Sequence, residues 1–398
     1  MLTGSVAPSF AAMTAGAPLT AWYFNLFSPV GLVANLVVIP AGFLVVLLGA
    51  VSLLLGPLLP AAAAWMNIAN AWVVAGLLHV IDLFSRVPWG WQYVMTPPLA
   101  AVVLAYALMA WISLAGRATR AWTATCAGCL LAYGLFVREG LSFRGVDLLD
   151  ADDGQAALVQ APGFAALIDA GPRTGVVETL RALRREGIDR LDRLVLTHAA
   201  AAHTGGAVMV LRQLHPREIW LPSVLPAKTP SLDPVLRLAR ENGIPVRRLS
   251  AGESGDWPGG LHWRVLNPPA AEKPPRRAAD ASLVLHLSLG GHAVLIAGGA
   301  GEAAEAAVVA RGQNAACDVL VAGNDEHAGA CSEALLAFAV PRQVVLSGGA
   351  HLAVFHRGDD VRARVLGRRI GLLDLTLHGP VRVDLTTGRA AYVLPEPE

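Results

Sequence analysis

The sequence predicts two successive architectures: an α-helical polytopic membrane domain over residues 1–140 and an α/β sandwich of the αββα type over residues 141–398. The first indication is the distribution of charge. Roughly a quarter of the residues in a soluble protein are charged, but the formal charges in residues 1–136 are only Asp82, Arg86, Arg117 and Arg120, with His79 as a further titratable group. The second indication is that charge density becomes ordinary afterwards, where short apolar strands alternate with amphipathic helices.

The membrane half contains several apolar stretches of the required length. A spanning helix needs about 20 apolar residues, and four stretches meet or approach this length, at residues 30–55, 61–84, 99–114 and 122–136. A fifth stretch, residues 8–27, is a weaker candidate because Pro8 and Pro18 interrupt it. Asn35 and Pro40 lie within the first of the four, where they predict a break into a re-entrant piece and a helix.

Charged residues indicate how the membrane half meets water. Asp82 and Arg86, followed by the aromatic residues within 89–93, are typical of an anchor at the membrane interface, and a transport-pathway residue is the alternative interpretation. Arg117 and Arg120 lie between the last two predicted helices, so this loop is predicted to be cytoplasmic. The α/β domain would then lie on the extracytoplasmic side.

The α/β half begins with a predicted β-meander. Its strands are expected at 146–150, 156–160 and 165–168, separated by turns rich in glycine and aspartate. A helix follows, because apolar residues recur at helical spacing from Val176 until Gly187. Further helices are predicted at 208–214, 232–242 and 302–310, and further strands at 194–196, 218–221, 245–249, 282–289, 293–296, 319–321, 344–346 and 381–385.

The segment 194–206 is the candidate functional site. It starts as a short apolar strand and continues as a loop with His198 and His203 at its ends, before a helix expected from Ala207. Two histidines around a strand-to-helix loop are a common arrangement for a metal ion in hydrolases. The four residues between them are alanines, which bind no metal. A purely structural role of both histidines is therefore favoured over a metal site.

These residues carry a family resemblance. Residues 23–40 resemble the second half of the membrane domain of ComEC-type competence proteins, and the α/β half is similar to their metallo-β-lactamase-like domain. The matching pieces of that domain are residues 157–169, 184–192, 196–198, 203–206 and 280–285. The resemblance implies a multi-pass protein of the bacterial inner membrane that takes up single-stranded DNA. The family's amino-terminal domain and first membrane helices have no counterpart here, so we expect a piece of a longer protein.

The resemblance also shows where this chain departs from the family. It assigns His198 and His203 to two different metal ions, and the aspartates expected at positions 200 and 202 are both alanine. The family's metal-bridging aspartate falls within residues 297–299, where this chain has Ala-Gly-Gly. A histidine-rich piece of the family falls within residues 323–327, where this chain has Gly-Asn-Asp-Glu-His. Most of the implied ligands are therefore missing.

Two distant histidines remain as candidates to complete a metal site, His327 and His356. We expect no cofactor, with zinc or manganese as the alternative if these residues reach the loop. The framework of the family motif is retained in Asp169, Thr197, Gly205 and Gly206.

Three functional hypotheses follow. The favoured one is a competence-type membrane protein for DNA uptake or translocation with an inactive nuclease-like domain. Its partners would be the lipid bilayer, single-stranded DNA and other competence proteins. The second is a divergent, membrane-anchored, metal-dependent phosphodiesterase or nuclease, and the third is a truncated remnant without function. The net charge of +1 predicts no general affinity for nucleic acid, and the arginines within 184–193 and at 276–277 are interpreted as solvated basic faces.

Overall fold

The computed structural model describes residues 2–88, 90–114, 142–152, 154–270, 277–323, 330–347 and 359–393, together with positions 124 and 128. The chain divides into two compact units. One contains Met1–Val137 and Arg184–Gly187, and the other contains Arg138–Leu183 and Ile188–Glu398.

Apolar helices dominate the first unit. They are α1 (Leu2–Phe24), α2 (Val30–Leu55), α3 (Pro60–Ser85) and α4 (Leu99–Leu114), with a two-stranded ladder of β1 (Leu26–Phe27) and β2 (Gln92–Tyr93). The helices α2 and α3 pack against each other, and Ser52 Oγ donates a 3.1 Å hydrogen bond to the carbonyl oxygen of Ala63.

The predicted break at Asn35 and Pro40 is wrong, because α2 continues through Pro40. A proline inside a helix removes one backbone hydrogen bond. Opening the helix within an apolar stretch would instead leave several backbone groups unpaired, which costs more.

Two of these helices, α2 and α3, are long and apolar enough to cross a membrane, each with 26 residues. Their large apolar side chains are exposed, for example Leu53 at 80% and Trp72 at 76%. The shorter α4 matches the stretch predicted at 99–114, and α1 covers most of the weaker candidate at 8–27. The stretch 122–136 lies outside the described residues except for positions 124 and 128, so a polytopic arrangement stays a prediction.

The second unit contains two sheets, and the first sheet begins with the predicted meander. Its described strands, in spatial order, are β17 (Arg389–Tyr392), β16 (Val381–Asp384), β3 (Gly145–Leu149), β4 (Ala156–Ala161), β5 (Phe164–Ile168), β6 (Arg193–Val195), β7 (Ile219–Pro222) and β8 (Val246–Leu249). Pairing is antiparallel from β17 to β5 and parallel from β5 to β8. The last strands of the chain therefore complete the edge beside β3, where Arg382 forms a 2.6 Å ion pair with Asp147.

The second sheet is likewise mixed. Its described strands, in spatial order, are β15 (Gly371–Asp374), β14 (Gln343–Leu346), β13 (Val319–Val321), β12 (His292–Ile296), β11 (Val284–Leu289), β10 (Leu261–Asn267) and β9 (Ser254–Trp257). The strands from β12 to β15 are parallel, so the loops after β12, β13 and β14 emerge at one edge of this sheet.

Helices cover both sheets on the outside. They are α5 (Val176–Arg185), α6 (Ala201–Thr204), α7 (Ala207–Leu214), α8 (Asp233–Glu241), α9 (Glu302–Arg311), α10 (Glu333–Ala339), α11 (Asp359–Gly367) and α12 (Leu375–His378). One apolar core lies between the sheets and includes Ile168 and Ile296. A second core lies under α5, α7 and α8, and a third lies under α9, α10 and α11. The three cores confirm the predicted αββα arrangement.

Sequence reasoning missed several elements of this unit, namely β9, β10, β15, β17, α10, α11 and α12. The strand β10 does alternate, since Leu261, Trp263 and Val265 are buried while His262 and Arg264 are partly exposed. The glycine pair Gly259-Gly260 directly before it is typical of a loop, and the segment is therefore not predicted as a strand. The predicted elements are confirmed, with ends that shift by one or two residues.

The end of α10 generates a stability prediction. Val340 adopts left-handed backbone angles, φ 45° and ψ 51°, and is 69% exposed. This conformation costs a β-branched residue roughly 1–2 kcal/mol, so Val340→Gly should raise the free energy of unfolding by about 1 kcal/mol. Urea denaturation of the full chain in detergent measures this change. Val177→Gly, at an exposed position of α5 with ordinary helical backbone, is the control and should give no gain.

Candidate functional site

The candidate site lies where β6 ends. The chain passes through Thr197 and His198, and the helical turn α6 then carries His203. A loop is predicted between the two histidines, whereas the structure has a helical turn, closed by a 2.9 Å bond from Gly205 N–H to the carbonyl oxygen of Ala201. Alanine favours helical backbone. The turn brings the two imidazole rings together, with centroids 4.0 Å apart.

Asp169 connects this turn to the end of β5 and is completely buried. Its Oδ1 accepts a 2.8 Å hydrogen bond from the backbone N–H of Thr197. Its Oδ2 accepts bonds from Thr197 Oγ1 at 2.7 Å and from His203 Nδ1 at 2.6 Å. Three donors compensate a buried carboxylate for the loss of water. Because Nδ1 of His203 donates to Asp169, this imidazole can offer only Nε2 to another group.

His198 is also buried, with 4% exposure. A hydrogen bond to the backbone is expected if its role is structural, but its partner among the described residues is a hydroxyl group, with His198 Nδ1 3.3 Å from Thr197 Oγ1. Burial lowers the pKa of His198 well below its usual value, and the neighbouring His203 lowers it further. His198 is therefore a neutral imidazole at physiological pH.

Gly299, in the loop after β12, lies directly against the ring of His198. A Cβ atom at this position would be 2.0 Å from Cε1 and 2.4 Å from Nε2 of His198. The backbone N–H of Gly299 donates a 2.9 Å hydrogen bond to Ser282 Oγ, which holds the loop in this place. The imidazole therefore occupies the volume that any side chain at position 299 would need.

The described residues do not fit a hydrolytic metal centre. Such a centre needs about three protein ligands and a bound water. Within the described parts of the chain, no group of three or more His, Cys, Asp or Glu side chains could hold a metal ion. His198 and His203 contribute two imidazoles, and the Asp169 carboxylate already accepts three hydrogen bonds. The other candidate ligands, His327 and His356, lie outside the described residues.

The two glycines of the motif have a steric role. A Cβ at Gly205 would lie 2.6 Å from the carbonyl oxygen of Ala201, and one at Gly206 would lie 2.4 Å from that of Ala170. Only glycine allows these close backbone approaches. Sequence reasoning identified both glycines and placed position 299 at the family's bridging aspartate. It missed Ser282 and the contact of Gly299 with His198, because both depend on packing between the two sheets.

The contact between His198 and Gly299 can be tested by a double-mutant cycle. Gly299→Ala should lower the free energy of unfolding by about 1–3 kcal/mol because the new methyl group meets the ring. His198→Ala creates space, so the double variant should lose less than the sum of the two, by about 1 kcal/mol or more. Urea denaturation of the full chain in detergent gives these energies. Gly367→Ala is the control, since nothing lies within 4 Å of its added Cβ, and additive losses would contradict the contact.

Proteins named for competence and recombination are similar to this chain. ComE operon protein 3 of Bacillus subtilis is 23% identical over 405 residues, which covers 94% of this chain and 51% of that protein. Competence protein ComA of Neisseria gonorrhoeae is 28% identical over 61% of this chain and 32% of its own length. Recombination protein 2 of Haemophilus influenzae is 32% identical over 51% of this chain and 24% of its own length. The chain thus spans about half, or less, of these relatives.

Solved structures with distant similarity include the metallo-β-lactamase fold protein YhfI from Bacillus subtilis, at 11% identity and a TM-score of 0.37. The match covers 58% of this chain and 95% of that one. The Rm3 metallo-β-lactamase is 14% identical over 56% of this chain and 93% of its own, with a TM-score of 0.33. Similarity at this level has no bearing on activity.

Two family models match consecutive parts of the sequence. The Competence protein family matches residues 2–118, and the Metallo-beta-lactamase superfamily matches residues 149–351, about half of the chain. The second match includes the whole candidate site. The chain therefore belongs to the metallo-β-lactamase superfamily and, with the competence segment in front of this domain, to the ComEC-type competence proteins.

Proposed function

We propose that the chain is a bacterial inner-membrane protein associated with DNA uptake, and that its metallo-β-lactamase domain does not cut nucleic acid. The second part rests on one observation, the position of the His198 ring against Gly299. By resemblance, position 299 belongs to the family's metal-bridging aspartate. Because the ring already fills this volume, replacing glycine by aspartate would not restore a metal centre without displacing His198.

The burial of the two histidines supports the same proposal. Hydrolysis by this superfamily depends on a metal-bound water whose pKa lies near 7. His203 is completely buried and His198 is 4% exposed, so neither ring can reach a phosphodiester bond as a general base. The pair is better suited to holding the turn α6 in place than to activating water.

The membrane location is supported by the apolar helices α2 and α3, whose exposed faces carry large hydrophobic side chains. Such surfaces are unfavourable in water and favourable against lipid tails. We propose a multi-pass topology with the α/β domain on the extracytoplasmic side. Single-stranded DNA and other competence proteins are the proposed partners besides the lipid bilayer, and they follow from the family alone.

The absence of nuclease activity can be measured directly. The purified full chain in detergent is incubated with end-labelled single-stranded DNA and either Zn²⁺ or Mn²⁺, beside His198→Ala. We expect the same negligible rate for both proteins, because the described residues supply too few ligands to bind a catalytic metal. A metal-dependent rate that falls about 100-fold or more in His198→Ala would contradict the proposal and favour a divergent hydrolase. An active nuclease added to the same detergent buffer is the positive control.

The proposed topology can be tested with reporter fusions. Alkaline phosphatase attached after residue 393 should be active, because this enzyme folds only outside the cytoplasm. A fusion at residue 118, between Arg117 and Arg120, should be inactive. The opposite pattern of activities would place the α/β domain in the cytoplasm.

A further inference from the structure

The two sheets of the α/β unit point their parallel strands in a common direction. The segments after β6 and β12 meet at the candidate site, where His198 lies against Gly299. The strands from β5 to β8 are parallel to one another, as are those from β12 to β15. Their starts therefore lie opposite the site, and there Gly388, in the turn after β16, packs directly against His292 at the start of β12. We call this edge of the unit, where these strands start, the far edge.

Exposed arginines collect along the far edge. In the first sheet, the N–H of Arg217 donates a 3.0 Å hydrogen bond to the carbonyl oxygen of Leu191, so the segments before β6 and β7 lie side by side. In the second sheet, the N–H of Gly371 donates a 3.1 Å hydrogen bond to the carbonyl oxygen of Arg342. The helices α7 and α8 end here with a basic residue in the last turn. Besides Arg217 and Arg342, the exposed arginines of these segments and of the start of β17 are Arg190, Arg212, Arg240, Arg369 and Arg389.

Acidic side chains compensate only part of this charge. Arg217 pairs with Asp192 at 3.2 Å, and Arg342 pairs with Asp318 at 3.5 Å. Within the described residues, no acidic side chain forms an ion pair with the other arginines of the far edge. Exposed carboxylates near this edge are fewer than the arginines, namely Asp189, Glu241 and Asp256. The far edge therefore carries excess positive charge, although the net charge of the chain is only +1.

Helix dipoles account for some of these arginines but not for all of them. A basic residue in the last turn of a helix compensates the partial negative charge of that helix end, which explains Arg212 and Arg240. The remaining unpaired arginines lie in loops or at a strand start, where no helix end needs them, namely Arg190, Arg369 and Arg389. Their concentration at one edge indicates an external anionic partner.

The chain enters the α/β unit at this same edge. The strand β3 begins at Gly145 and is antiparallel to β4, which is antiparallel to β5. The strands β3 and β5 therefore run in the same direction, and Gly145 lies at the far edge. Residues 137–144 connect the apolar stretch predicted at 122–136 to Gly145, and eight residues span at most roughly 30 Å. The sequence thus limits how far the far edge can lie from the lipid headgroups.

We propose that the far edge binds the headgroups of anionic phospholipids, such as phosphatidylglycerol. Guanidinium groups donate charge-assisted hydrogen bonds to phosphate oxygens. Each basic side chain near an anionic bilayer adds to the binding, and no enclosed pocket is needed. The proposal rests on the proposed membrane location and adds to it the surface that contacts the bilayer and the class of lipid.

Single-stranded nucleic acid also presents phosphates, but its binding surfaces combine positive charge with aromatic side chains on which bases stack. Among the described residues of the α/β unit, no phenylalanine, tyrosine or tryptophan is exposed. The large aromatic residues near β7 to β10, such as Trp220 and Trp263, are buried between the sheets. Charge without stacking surfaces favours lipid headgroups.

Thermal unfolding of the full chain in an uncharged detergent tests the proposal. The probe is dioctanoyl phosphatidylglycerol, and dioctanoyl phosphatidylcholine is the matched lipid without net charge. A ligand that binds the folded state raises the unfolding temperature. We expect phosphatidylglycerol to raise it and phosphatidylcholine to leave it unchanged, and about 0.5 M NaCl should remove the effect by screening.

Two pairs of substitutions locate the effect. Arg212→Gln with Arg240→Gln, and separately Arg369→Gln with Arg389→Gln, should each require about tenfold more phosphatidylglycerol for the same shift. The second pair lies outside the described helices, so a loss of helix stability cannot explain a common result. Arg173→Gln with Lys228→Gln removes the same charge from exposed positions at the site edge and should respond as the parent does.

The proposal is wrong if phosphatidylglycerol acts no better than phosphatidylcholine, or if both far-edge pairs respond as the control pair does. It is also wrong if inorganic phosphate or a single-stranded oligonucleotide, at equal phosphate concentration, gives the same shift. Flotation of the full chain with phosphatidylcholine vesicles is measured separately. A chain that does not float contradicts the membrane location, whereas the response to phosphatidylglycerol decides the role of the far edge.

Discussion

One buried carboxylate holds the site edge of the α/β unit together. Asp169 receives three hydrogen bonds, from the backbone and side chain of Thr197 and from His203. A hydrogen bond to a charged group contributes roughly 1.5–3 kcal/mol, and backbone bonds such as Ala170 N–H to the carbonyl oxygen of His203 at 2.8 Å reinforce the contact. The strand end, the turn and the two glycines behind it all depend on this carboxylate for their relative positions.

Much of the fold could be predicted from local patterns. The segregation of charge separates the two halves, and strands such as β3 and β4 carry mostly apolar residues between turn signals. The missed elements are of another kind. The edge strand β17 (Arg389–Tyr392) has a polar residue first and alanines in the middle, and its strand conformation comes from pairing with β16. Tertiary pairing decides such segments, and local propensity does not.

The candidate site was only partly predictable, for a similar reason. His198 and His203 stand out in sequence because a metal motif is recognisable around them, and Asp169 is part of the same motif. The role of Gly299 is different, since it depends on β12 of the second sheet approaching β6 of the first. Contacts between the sheets carry no local sequence signal.

The order of strands in the first sheet affects how the α/β domain is made. β3 near its start acquires its outer neighbour β16 only from residues 381–384, and the Arg382–Asp147 pair spans 235 positions. Contacts of such long range delay folding. This sheet cannot close while the ribosome still holds residues 381–384, so the nascent domain stays open until these residues have been released. Until then, the edge of β3 that will pair with β16 presents unpaired backbone groups.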